Sequence, residues 1–212
     1  MLHPLRAYFD LARARVLRRI GWYAAATAWL LLAIAFGAYA AGQLSALQRA
    51  DLLAYLGGFL GSLQGGLPPG SQLMRAAIVG DGRLILLGWI LALSLVGVFL
   101  SWLSLGVKGF SIGFSAAFLL GELGPRGLAL LGLGVLPPAL IVLPSLMLLC
   151  EAAMGYVGDF YHARWRGPAI AQAVMRFAGA GGLALAGIVL AAIVEAYFSP
   201  LALHLLWPYV GG

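Results

Sequence analysis

The chain lacks most of what a soluble enzyme needs. Charged residues fill only 9% of its 212 positions, too few to give a domain of this size a water-compatible surface. Its one cysteine, Cys150, lies in an apolar run, which excludes a disulfide framework and a thiolate metal site. His3, His162 and His204 are isolated and lack metal-ligand spacing. No glycine-rich loop with a phosphate-binding lysine is present, so the chain is not expected to hydrolyse nucleotide by itself. No cofactor is expected.

What is present is apolar: 63% of the residues are hydrophobic. Residues 106–144, GVKGFSIGFSAAFLLGELGPRGLALLGLGVLPPALIVLP, hold three charges and end in a run broken by Pro137, Pro138 and Pro144. In water this would be a large exposed patch with opened backbone, whereas neighbouring helices in a bilayer can cover both faults. The composition predicts an all-α, polytopic integral membrane protein forming one membrane domain over residues 1–212. The net charge of +6 is not read as a nucleic-acid footprint, because the arginines cluster beside apolar spans, where anionic headgroups are the usual partner.

A crossing needs roughly 20 apolar residues, and the sequence predicts about five. They cover residues 22–41, 84–107, 107–123, 128–157 and 177–196. The third is short enough to suit a re-entrant segment as well. The fourth is too long for one straight crossing and is expected to be broken or kinked at Pro137 to Pro144. The first is expected to stay attached, being too long for a signal peptide. With the N-terminus in the cytoplasm, Arg6, Arg13, Arg15, Arg18, Arg19, Lys108, Arg164, Arg166 and Arg176 lie inside, against Arg49, Arg75, Arg83 and Arg126 outside. Nine against four predicts a cytoplasmic N-terminus and an extracytoplasmic C-terminus.

Three flanking segments read as interfacial. Leu2, Leu5, Phe9, Ala12 and Val16 recur at helical spacing beside Arg6, Asp10 and Arg13, predicting an amphipathic helix over 2–20 on the inner leaflet. In the extracytoplasmic segment 43–82, Ser45 and Gln48 form a capping-box pattern ahead of a leucine-rich stripe, opposite which lie Gly57, Gly58 and Gly61. These glycines are the candidate partner-docking face, and QGGLPPGS after them reads as a turn. The last segment, 200–212, is too short to cross and carries interfacial aromatics.

Catalytic chemistry is hard to assemble. GFSIG at 109–113 matches a nucleophile elbow, but that motif works on a strand-to-helix turn and here sits in an apolar helix. Ser111 or Ser115 with His204 would make an intramembrane protease, with no evident route between them. Gly109 and Gly113 read more naturally as a small-residue helix-packing face. The intramembrane acids remain: Glu195 continues Ala184, Gly187 and Ala191 on the fifth span and is expected to face the bundle. Glu151 continues Pro144 and Met147 on the fourth. Each is either a structural hydrogen-bond partner or part of an ion or substrate path.

KGFSIGF, ELGPRG, VLPPALIVLP and EAYFSP at 195–200, with DLLAYLGGFLG from Asp51 and LLGWILALSLVG from Leu86, fall in an order and spacing that resembles the stage II sporulation protein M family. The likeness covers nearly the whole chain. It departs at Pro138 and Ala139, where relatives often carry polar residues. The resemblance implies a polytopic protein of the bacterial cytoplasmic membrane. It also implies a scaffold without catalytic residues, working with two cell-wall hydrolases, an amidase and a lytic transglycosylase, in septal peptidoglycan thinning and engulfment during sporulation. The alternative is the membrane subunit of a transporter coupled to a separate ATPase through the loop GDFYHARWRGP at 158–168. Partners expected on the first reading are the hydrolases, the lipid bilayer and further copies in an oligomer.

Overall fold

A computed structural model describes residues 3–64, 75, 79, 95–162, 167–198 and 201. Among these, every element is helical: α1 (His3–Gly42), α2 (Ala46–Gln64), α3 (Leu95–Leu123), α4 (Pro125–Leu130), α5 (Leu136–His162) and α6 (Gly167–Ile193). Wider π turns occupy Leu131–Val135 and Val194–Phe198. The expected turn at 64–71, the first part of the second span before Leu95, and the tail with His204 lie outside the described residues.

Among the described residues, four stretches are long and apolar enough to cross a membrane: Arg19–Gly42, Val98–Leu123, Pro125–Gly158 and Val174–Phe198. The chain thus has an all-helical membrane architecture, but three expected boundaries move. First, no interfacial helix separates from the first span: α1 is one helix of 40 residues, about 60 Å at 1.5 Å per residue. Nothing between Arg18 and Trp22 stops it, because a lone Gly21 costs only about 1 kcal/mol of helix propensity. Second, α3 runs without interruption through Lys108, so the second and third expected spans do not divide there. Lys108 is a residue of the membrane helix and not of a cytoplasmic loop. Third, the break ahead of the prolines is a π turn. Pro137 and Pro138 fall in the first turn of α5 and Pro144 stays inside the helix. Their missing N–H groups leave preceding carbonyls without the usual donor, and the widened turn at Leu131–Val135 accommodates this while the rod continues.

Packing fixes the directions. Trp29 meets Trp102 and Gly106, and Ile34 meets Gly113, so α1 and α3 run parallel. Tyr156 meets Phe177 while Ser145 meets Gly187, so α5 runs against α6. The end of α3 packs at Leu119 on Leu130 and Leu131 ahead of α5, while Glu151 near the other end of α5 meets Arg19, so α5 also runs against α1 and α3. The chain leaves α1 at one end of the bundle and enters α3 at the other. The core between the helices is formed by Leu105, Val142, Leu146, Leu149, Cys150 and Ala153, joined by Ala26, Phe177 and Ala184. A smaller cluster at the far end packs Leu119, Leu130 and Leu131 with Leu56 of α2. The capping box forms there: the Ser45 N–H donates to Gln48 Oε1 at 2.9 Å and the Gln48 N–H to Ser45 Oγ at 3.3 Å. This satisfies orphan donors at the start of α2.

Candidate functional site

The polar centre of the bundle lies where α1 begins its apolar stretch. Arg19 forms an ion pair with Glu151, its Nε 3.3 Å from Glu151 Oε1, and the two side chains differ sharply in exposure, 61% for Arg19 and 8% for Glu151. A buried carboxylate costs several kcal/mol unless paired, and Arg19 can supply the counter-charge while keeping its fork toward the headgroups. A cavity of about 60 Å³ opens beside the pair, lined by Arg19, Glu151, Gly155, Tyr156, Arg176 and Phe177. Tyr156 closes its inner wall, its ring tilted 43° against Phe177 with centroids 5.5 Å apart.

A second constellation holds α1 to α3. A Cβ on Gly37 would run into the carbonyl oxygen of Phe110, and one on Gly113 into that of Ile34; at Gly109 it would stand 2.8 Å from Leu30 Cδ1 and 3.1 Å from Ala33 Cβ. The two backbones touch, which only small residues permit. Trp29 Nε1 donates to the Trp102 carbonyl at 2.9 Å, and Gly106 leaves the space in which the indole lies. At the opposite end Arg49 donates from Nε to Leu44 O and from Nη2 to Gly42 O, at 3.3 and 3.4 Å. Its Nη1 meets Glu122 Oε1 at 3.2 Å. A cation on the last carbonyls of α1 is favourably placed in the helix field and ties this end to α3.

The other residues singled out in the sequence fall as follows. Ser111 lies in a continuous helix and donates to Val107 O at 2.9 Å, so GFSIG forms no strand-to-helix elbow. Glu195 is exposed, contrary to its expected inward face, while Ala191, Ala192 and Ala196 are buried. The π turn at Val194–Phe198 carries an extra residue per turn and hands the inner position from Glu195 to Ala196. Glu151 is buried, but Pro144 on its expected stripe is exposed. Gly57, Gly58 and Gly61 are exposed, with nothing within 4 Å of a Cβ built on any of them. Pro137, Pro138 and Pro144 shape the fourth rod rather than line the cavity. Among the described residues no group of three or more His, Cys, Asp and Glu could hold a metal ion.

Sequence reasoning missed Arg19 as the partner of Glu151 and Gly37 as the partner of the Gly109 and Gly113 face. A signal existed for the second, since Ala33 and Gly37 repeat the same four-residue small pattern on the first span.

Comparison with known proteins agrees with this picture at the level of the family. No curated protein and no solved structure matches the chain. The family model described as SpoIIM, Stage II sporulation protein M, matches residues 26–200, which takes in all four apolar stretches except the first turns of Arg19–Gly42. The chain therefore belongs to the stage II sporulation protein M family.

Proposed function

We propose that the protein is a non-enzymatic scaffold of the bacterial cytoplasmic membrane that holds peptidoglycan hydrolases, an amidase and a lytic transglycosylase, at the septum for wall thinning and engulfment. The observation that carries this reading is the face of α2. Leu52, Leu53 and Leu56 are half-buried, whereas Gly57, Gly58 and Gly61 present bare backbone with open space beyond. Bare backbone lets a partner approach closely. Family membership supports the same role. Replacing Gly58 and Gly61 together with leucine is expected to abolish septal recruitment of a fluorescent hydrolase while membrane insertion stays intact. Unchanged recruitment in the double variant would remove the docking face, and unchanged recruitment in a full deletion would remove the scaffold.

The scaffold reading needs α2 on the wall side, which sets the topology. We take the N-terminus to be cytoplasmic and the C-terminal end of α6 extracytoplasmic. The parallel course of α1 and α3, followed by the opposed α5 and α6, is consistent with these two ends lying on opposite sides. With Lys108 inside a helix, the basic count falls from nine against four to eight against four, still favouring this orientation. In a Cys150→Ala background, Gln43→Cys is expected to react with an impermeant thiol reagent on intact cells and His162→Cys only after permeabilisation. Reaction at position 162 without permeabilisation would reverse the orientation.

A transporter subunit is the second reading, favoured by one observation: Glu151 is buried beside a cavity in the rod that carries the π turn. Its pairing with Arg19 weakens that case, because a fixed ion pair is a structural device as much as a path. Copurification from native membranes separates the two, hydrolases supporting the scaffold and an ATPase the transporter.

A further inference from the structure

The helix α2 is apolar on more than one side. Leu56 packs on the cluster of Leu119, Leu130 and Leu131, and Leu52 and Leu53 beside it are half-buried. Yet Leu47 and Tyr55 stand 75% and 79% exposed. Burial of apolar area is non-directional, so a helix of this kind gains from turning either side inward. Hydrophobicity alone therefore does not choose the rotation of α2 about its own axis, nor the direction in which Gly57, Gly58 and Gly61 look.

A polar contact of fixed geometry makes that choice. Arg49, in the first turn of α2, directs its donors at three parts of the fold. Its Nε donates to the Leu44 carbonyl in the link between the helices, its Nη2 to the Gly42 carbonyl at the end of α1, and its Nη1 to Glu122 Oε1 in the last turn of α3. A guanidinium is planar and rigid, so rotating α2 breaks these bonds together. Arg49, Leu52, Leu53 and Leu56 recur at i, i+3, i+4 and i+7 and share one stripe. With Arg49 engaged, the leucines meet the bundle and Gly58 lies on the opposite side. The pair with Glu122 is partly exposed, 42% for Arg49 and 23% for Glu122, and such a pair adds little stability. Fixing a register is the better-attested use of an ion pair.

We propose that Arg49 is a positioning residue: by clasping the end of α1, the link and Glu122 together, it sets the rotation of α2 and turns the glycine face away from the bundle. Its effect on recruitment rests on the docking role proposed for that face, whereas the orientation of α2 is measurable without any partner.

The test uses the purified full chain in a Cys150→Ala background, with spin labels at Gly58→Cys and Ser111→Cys, both exposed positions. Pulsed dipolar spectroscopy reads the distance between them. The parent is expected to give one narrow distance population. Arg49→Gln and Glu122→Gln should each broaden or shift it, and the double variant should go no further than Arg49→Gln, because Glu122 acts through that residue. Thermal unfolding of the bundle should move little, which separates loss of position from loss of fold. A parental distance in both single variants, with or without a loss of thermal stability, would overturn the positioning role. A displaced α2 with unchanged septal recruitment of a fluorescent hydrolase would leave Arg49 that role and remove the docking face instead.

Discussion

Replacing Gly113 with alanine is expected to lower the stability of the bundle by about 2–3 kcal/mol, the upper part of the usual range for forcing a methyl group into a packed interior. The new Cβ would stand 2.7 Å from the carbonyl carbon of Ile34 and collide with its oxygen. Because the atoms in the way belong to backbone, no side-chain rotation relieves the clash. The two helices must separate, and the Trp29 bond to the Trp102 carbonyl lies on the same seam. Gly121→Ala on the same helix is the control. Nothing lies within 4 Å of its Cβ, so it should be neutral or stabilise by up to about 1 kcal/mol through helix propensity. Thermal unfolding in detergent checks both, and equal effects at 113 and 121 would show that α1 and α3 do not cross at these glycines. Gly37→Ala should resemble Gly113→Ala, and the double substitution should cost less than the sum because both open one crossing.

Removing Arg19 should be more harmful than removing the whole ion pair. Arg19→Ala leaves Glu151 nearly enclosed without its counter-charge. Stranding a buried charge costs about 3–5 kcal/mol when both partners are enclosed; here Arg19 is 61% exposed, and solvent screening reduces the expected loss to about 1–3 kcal/mol. Adding Glu151→Leu to Arg19→Ala should return much of that stability, since an apolar residue of similar size needs no partner. The readout is a double-mutant cycle on thermal unfolding. A double variant as unstable as the sum of the singles would mean that Arg19 and Glu151 act independently, and the geometry at 3.3 Å would then be an incidental contact.

Much of the architecture is legible in the chain because hydrophobicity is a local property. The apolar runs around Trp22, Leu128 and Phe177 declare their helices whatever surrounds them, and the Ser45 and Gln48 pattern fixes the start of α2 because a capping box closes within four residues. The family is legible for a related reason, since ordered motifs such as KGFSIGF and EAYFSP survive as a pattern along the chain. Local reasoning failed where a charge or a proline was taken as a boundary. Lys108 looked like the junction of two spans because lysine is rare in membranes, yet α3 carries it without a break, and the prolines were accommodated by a π turn ahead of them.

By itself, then, the sequence determined the all-helical membrane class, the start of α2 with its glycine face and the family. Only the tertiary structure decided that α1 and α3 run parallel, that Gly37 answers Gly113, that Arg19 pairs with Glu151 and that Glu195 gives its inner place to Ala196. Each of these depends on the relative rotation of helices distant in sequence, or on a one-residue shift of register within a turn. Such quantities are set by which backbones can approach closely, and no local pattern of residues encodes them.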